Sequence, residues 1–250
     1  MPEVAEPAAR VQLCGAFVVE LSGRRIDHAL PGRQGRLLFA YLALSRHERV
    51  ARDTLVDALW GESPPNSAGA LNALISKVRA AAGPDVVLGR SQLQVMLPEP
   101  AVVDVEIAAE RVHVAEAAVA QGQWRRAWSP ALSAQFVARR PFLSEADLPW
   151  AEAWRRRLAG IRVRALEAYA TACLHIGGTE LAGAERAARE LVELVPLRET
   201  AHLLLMRSLA ARGNVAEALH AYESLRVALR EELGVNPCRE VQDAYAQLLR

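Results

Sequence analysis

The sequence predicts a mainly α-helical chain in two parts, a small mixed unit of short strands and three helices followed by an all-helical array. Three observations carry that reading. Runs rich in β-branched and apolar residues occur at 11–21 and in short segments before residue 98, and none is convincing after Val103. Between those runs lie three helical segments, the second and third closed by glycine or proline. In the second half a glycine followed five positions later by an alanine recurs among paired amphipathic segments.

Residues 11–21, VQLCGAFVVEL, the Ser22-Gly23 turn and a segment from Arg24 to Leu30 predict a β-hairpin or meander. Pro31-Gly32 then breaks the chain. In RQGRLLFAYLALS, Leu37, Leu38, Tyr41, Leu42 and Leu44 fall on one helical stripe. His47 to Ala51 reads as a connector. Asp53 or Thr54 is placed to cap a second helix, TLVDALW, which Gly61 ends. Ser63-Pro64-Pro65-Asn66 stops and restarts the chain, and a third helix runs from Ser67 to about Ala82, before Gly83-Pro84. DVVLG and LQVML flank Arg90-Ser91 as the strands of a small hairpin, and Pro98-Glu99-Pro100 reads as a linker. Sheet, helix, helix, turn, helix, hairpin is the element order of a winged helix-turn-helix. The predicted organisation is a flexible N-terminus over 1–10, a winged helix-turn-helix domain over 11–98 and a helical domain over 103–250.

In that helical half the repeating signature is Gly122-QWRR-Ala127, Gly213-NVAE-Ala218 and, more loosely, Gly177-GTEL-Ala182. In tetratricopeptide-type units the glycine ends one helix and the alanine lets the next pack close. Pro196 and Pro237 stop helices, and Gly234 is placed to end another in a left-handed cap. Trp124, Trp128, Trp150 and Trp154 read as helix-packing residues, with a shared pocket as the sharper alternative. Arg155-Arg156-Arg157 reads as a solvated face, or as a surface for an acidic partner or a DNA backbone.

Composition narrows the function classes. A chain of 250 residues with 52% hydrophobic and 24% charged residues is globular, not disordered. No apolar run approaches the roughly 20 residues of a membrane helix. MPEVAEPAAR, with two acids and no apolar segment, does not read as a signal peptide, so a cytoplasmic protein without a membrane partner is expected. Cys14, Cys173 and Cys238 lack metal-ligand spacing and read as buried or incidental thiols. The six histidines are scattered, and Gly32-Arg33-Gln34-Gly35-Arg36 lacks the lysine and preceding strand of a phosphate loop. No nucleophile elbow is present. A binding protein is therefore expected, with no catalytic residue, metal or cofactor. The net charge of +1 does not advertise a nucleic-acid binder, but seven arginines lie between Ser22 and Arg52 against only Asp27 and Glu48. That stretch is a phosphate footprint or a solvated arginine-rich surface.

Four segments, DTLVDALWGESPPNSAGALNALISKVRAAAG at 53–83, PLRE at 196–199, LLMRSLAARGNVAEALHAYESLR at 204–226 and LREELGVNP at 229–237, jointly resemble the SARP family of actinobacterial transcriptional activators. The resemblance covers roughly residues 11–250 and implies an OmpR-like winged helix joined to a bacterial transcriptional activator domain of tetratricopeptide-like helices. It also implies double-stranded DNA as a partner, a homodimer on direct repeats, and recruitment of RNA polymerase through a sigma factor or the alpha subunit. The chain departs from the family at the wing, where Gly89-Arg90-Ser91-Gln92-Leu93 replaces the usual Gly-Tyr approach, and in the small residues on its third helix.

At 100° per residue, Leu71, Leu74, Ile75, Val78 and Ala82 of the third helix share the packing face. The opposite face holds Gly69, Asn72, Ala73, Ser76 and Ala80, with Lys77 and Arg79 on its flanks. Asn72 is the candidate for a two-point contact to adenine, Ser76 a weaker discriminator, and Ala73 an apolar neighbour for a thymine methyl. Lys77 or Arg79 is within range of guanine or a phosphate. Arg52, with Thr54 and the amides that open the second helix, is placed for phosphate, as are Arg90 and Ser91 at the hairpin tip. Arg33 and Arg36 touch DNA or cover the first helix. Trp60 reads as core. Two other functions stay open: an interaction adaptor whose helical groove binds a partner after DNA readout has been lost, and the regulatory half of a longer protein.

Overall fold

The structure is a computed structural model that describes residues 7–61 and 67–250, so the Ser63–Asn66 turn and most of the predicted flexible N-terminus lie outside the described residues. The chain divides into two compact units, residues 1–107 with 140–158, and residues 108–139 with 159–250.

In the first unit, β1 (Ala9–Gln12), β2 (Val18–Leu21) and β3 (Arg24–Arg25) form an antiparallel meander. Ala9 and Arg10 of β1 lie inside the segment expected to be flexible. The 11–21 run is two strands with Val11 opposite Val19, separated by a loop in which Gly15 has φ 82°. Ser22 and Gly23, at φ 49° and 75°, make the tight turn expected there. Helix α1 (Gly32–Leu44) buries Leu37, Leu38, Phe39 and Leu42. Next comes β4 (Val50–Ala51), where a connector was expected, and α2 (Arg52–Trp60) follows it without a break. The residue preceding α2 is therefore Ala51, and neither Asp53 nor Thr54 caps it; Asp53 instead places a negative charge in the first turn. Helix α3 (Ser67–Ala82) ends at Gly83 (φ 108°). Strands β5 (Val87–Leu88) and β6 (Gln92–Val95) make the wing, and β6 also pairs with β4, giving a second sheet in the order β4-β6-β5.

The proline-flanked segment leads into β7 (Ala101–Val103), which lies parallel to β1 and completes a sheet in the order β3-β2-β1-β7. Asp104 opens α4 (Asp104–Ala120), and its carboxylate accepts from the Leu13 and Cys14 amides at 3.0 and 2.9 Å. Burial raises the Asp104 pKa against the pull of those two amides and of Arg140, 3.8 Å away. Residues 140–158 belong to the same unit. Trp150 donates to the Ala58 carbonyl at 2.8 Å and meets Tyr41 edge-on at 5.3 Å, while Trp154 stacks on Phe142 at 6.1 Å. Arg155 is not a solvated residue: it donates to the Phe142, Leu143 and Ala146 carbonyls and so knits the loop before α6 (Pro149–Ile176).

The second unit is helical: the rest of α4, α5 (Trp124–Ala138), the rest of α6, a single 3-10 turn, α7 (Leu181–Leu194), α8 (Glu199–Ala211), α9 (Val215–Leu233) and α10 (Arg239–Leu248). Its core runs through Leu166, Leu191, Met206, Leu209 and Leu225. The repeat signature holds at Gly122 and Gly213, at φ 68° and 83°, with Ala127 and Ala218 fully buried. It slips at Gly177, where the 3-10 turn shifts the register and Gly183 and Ala184 take the close-packed positions instead of Ala182. Gly234 (φ 71°) closes α9 in the left-handed cap expected, with the Val235 amide returning to the Leu229 carbonyl. Trp124 stacks on His175 at 3.9 Å and Trp128 donates to Glu180 at 2.9 Å, so the four tryptophans serve packing in two different units.

Glu185 on α7 is buried and accepts from Arg189 and Arg212. Burial raises its pKa, but the two arginines outweigh burial and hold it below the usual carboxylate range. A lowered folded-state pKa contributes stability above the unfolded value of about 4.3, lost as pH falls through the folded value. Glu185→Gln is therefore expected to cost about 1 kcal/mol at neutral pH and almost nothing near pH 3. Urea unfolding at the two pH values checks this, and an equal cost at both would refute it.

Candidate nucleic-acid interface

Helix α3 is alanine-rich, a composition that favours helix wherever packing does not decide. Its buried positions are Leu71, Ile75, Val78 and Ala82, with Leu74 half-buried, which is the face expected from the helical period. Gly69, Asn72, Ala73, Ser76, Lys77 and Ala80 are all exposed. The outward face is small and carries two polar groups, the Asn72 amide and the Ser76 hydroxyl, flanked by the Lys77 charge.

The wing is fastened to this helix by two arginines. Arg79, half-buried, donates from Nε to the Val87 carbonyl at 2.8 Å and from Nη2 to the Gly89 carbonyl at 2.5 Å. Arg52, in the first turn of α2, donates from Nη1 to the Arg90 carbonyl at 2.8 Å and from Nη2 to Asn72 Oδ1. One guanidinium therefore joins the start of α2, the outer face of α3 and the wing turn. Asn72, Arg52 and Arg90, singled out separately in the sequence, meet at one place. The Arg90 and Ser91 residues at the turn are exposed, as is Thr54 on the first turn of α2.

The structure does not bring Arg33 and Arg36 to that place. Arg33 Nε donates to the Glu145 carbonyl at 2.9 Å, and Arg36 Nη2 to the Glu145 carboxylate at 3.0 Å. Much of the basic stretch is spent in the same way. Arg25 pairs with Asp27, Arg24 donates to the Ala81 carbonyl at the end of α3, and Arg46 holds both Glu106 oxygens at 2.9 Å. Most of the seven arginines of that stretch therefore make internal bonds. Trp60 is half-buried at the end of α2.

Among the described residues no group of His, Cys, Asp and Glu is arranged to hold a metal ion, and no helix is long and apolar enough to cross a membrane. Cys14 and Cys173 are buried and Cys238 is exposed. Burial, with Asp104 beside it, pushes the Cys14 thiol far above its ordinary pKa, so it is an inert core thiol.

The family model described as bacterial transcriptional activator domain matches residues 103–249. The regulatory protein AfsR of Streptomyces griseus is 31% identical over 218 residues, which are 87% of this chain and 22% of AfsR. The transcriptional regulatory protein EmbR of Mycobacterium tuberculosis is 26% identical over 247 residues, 95% of this chain and 62% of EmbR. The chain thus spans about a fifth of the AfsR length. Mycobacterium tuberculosis EmbR, solved in complex with a low-affinity phosphopeptide, superposes with a TM-score of 0.82 at 22% identity, over 98% of this chain and 66% of that one. That likeness establishes the fold.

Proposed function

This chain belongs to the SARP family of transcriptional regulators built on a bacterial transcriptional activator domain, and from that premise we propose that it is a sequence-specific DNA-binding activator. The observation that supports this most is the junction at Arg52, which gathers the exposed face of α3, the start of α2 and the wing turn into one surface. A major groove admits a helix of this kind, and a hairpin beside it reaches the flanking backbone. In this reading Asn72 and Ser76 face base edges, Ala73 lies against a base methyl, and Lys77, Thr54, Arg90 and Ser91 meet phosphates. Arg79 serves by holding the wing, and Arg33 and Arg36 are left out because they hold Glu145. The family premise supports binding to direct repeats as a dimer and recruitment of RNA polymerase by the helical half.

Selection from random duplexes at near-physiological salt tests the proposal. An enriched motif in tandem copies about one helical turn apart is expected. Asn72→Ala is then expected to cost about 1–3 kcal/mol of binding, concentrated at one base pair, whereas Arg90→Ala weakens all duplexes alike and lowers the salt slope by about one. No enrichment by a folded protein would favour the adaptor reading, for which the small residues on α3 are the supporting observation.

A further inference from the structure

We infer that Arg52 is a positioning residue that decides which half of the Asn72 amide faces DNA, and that the base read there presents acceptors. The inference rests on the reading that α3 enters the major groove. A side-chain amide has one acceptor oxygen and one donor nitrogen, and recognition of adenine uses both at once. A guanidinium has donors only, so the Asn72 group facing Arg52 has to be the oxygen. The tie is charge-assisted and turns Oδ1 toward α2 and the wing, which leaves the Nδ2 hydrogens as the groups offered outward. Donors match guanine, whose N7 and O6 both accept, or thymine O4; at adenine only N7 accepts, and the N6 amino group beside it opposes a second donor. The reading face of α3 therefore differs from the adenine contact that the residue type alone suggests.

Arg52 itself is held in place. It begins α2 directly after β4, whose pairing with β6 (Val50 opposite Leu93, Ala51 opposite Gln92) fixes where the helix starts. Its second bond, to the Arg90 carbonyl at 2.8 Å, comes from the same planar group. Because the fork is rigid, the wing turn and the Asn72 amide are oriented together. Asn72 is exposed and would otherwise be free to rotate its amide. A phosphate contact by Arg52 would serve affinity alone, whereas these two bonds serve the choice of base.

The test uses the full chain and the duplex it selects. The base pair read by Asn72 is the one at which Asn72→Ala loses discrimination. At that pair the wild-type protein is expected to prefer guanine or thymine about tenfold over adenine. Arg52→Lys keeps the charge but replaces a fork with a single ammonium, which does not hold two diverging acceptors. It is expected to lose the preference at that same pair while the slope of log affinity against log salt is unchanged. Asn72→Asp keeps the tie to Arg52 and puts an acceptor where the donor was, so the preference moves to cytosine or adenine. Each variant is melted beside the wild type, and either one that retains the wild-type transition decides the matter alone. The inference is overturned by a wild-type preference for adenine at that pair. It is equally overturned if Arg52→Lys retains the preference while Arg52→Ala lowers the salt slope by about one, the signature of a phosphate contact. Wild-type protein that selects no sequence overturns the DNA-binding reading itself, and this inference with it.

Discussion

Asp104→Ala is expected to destabilise the N-terminal unit by about 3 kcal/mol, the largest stability loss of any single polar substitution proposed for this chain. The Asp104 carboxylate is the acceptor for the Leu13 and Cys14 amides, which leave β1 just where the chain turns away from β2. Leu13 and Cys14 are both fully buried, so water does not replace the lost acceptor. Each orphaned donor costs about 1–3 kcal/mol. Relief of the buried charge opposes this, since the raised Asp104 pKa shows that burial disfavours the carboxylate. Asp104→Asn keeps the volume but sets an NH2 group against one of the two amides, so it is expected to recover less than half of the loss. Hydrogen exchange of the Leu13 and Cys14 amides, alongside thermal unfolding, separates this from a global effect. If those two amides stay as protected in Asp104→Ala as in the wild type, the carboxylate is not what holds them.

Asp104 also shows where the sequence stops being legible. As the first residue of a helix it is an unremarkable acid near the positive end of a dipole. Its structural role depends on amides 90 and 91 positions away in the chain. Helix α1 was legible from its 3.6-residue period after Pro31-Gly32, and α2, α3 and α9 from the glycine that follows each, all of them local signals. Strands β4 and β7 were not, because two or three residues carry no period. They are strands only because Leu93 and Gln92 lie opposite one, and Ala9, Arg10 and Val11 opposite the other. The same strand pairing explains why α2 begins at Arg52 with no capping side chain.

The candidate site divides along the same line. The exposed face of α3 follows from burial of Leu71, Ile75 and Val78, and so it is written in the spacing. The junction at Arg52 is not, because Asn72 lies 20 residues and Arg90 lies 38 residues further along. In the sequence Arg52 is placed for phosphate, and Arg33 and Arg36 either touch DNA or cover the first helix. Position separates them: two are turned to Glu145 and one to Asn72 on α3. No periodicity distinguishes an arginine that steers a neighbouring amide from one that meets a phosphate.

Gly89→Ala is expected to abolish tight DNA binding, by a hundredfold or so, while leaving helices α1 to α3 folded. Gly89 sits at the wing turn with φ 97°, where an added Cβ would lie 1.9 Å from the Gln92 carbonyl oxygen. Backbone, and not a flexible side chain, is what it would meet, so the turn has to reopen and β5 has to part from β6. The Gly89 and Arg90 carbonyls are the acceptors for Arg79 and Arg52, so both fastenings of the wing are lost with the turn. Gly23→Ala is the control. Its φ is 75°, but nothing lies within 4 Å of the added Cβ, so only the backbone preference is at stake, about 1 kcal/mol. Binding to the selected duplex and thermal unfolding, measured for both variants, distinguish the two costs. Gly23→Ala should lose a little stability and no affinity, and Gly89→Ala both affinity and more stability, because Val87, Leu93 and Val95 of the wing strands are buried. Equal behaviour of the two variants would mean that the wing takes no part in holding DNA, and that the interface is confined to α3.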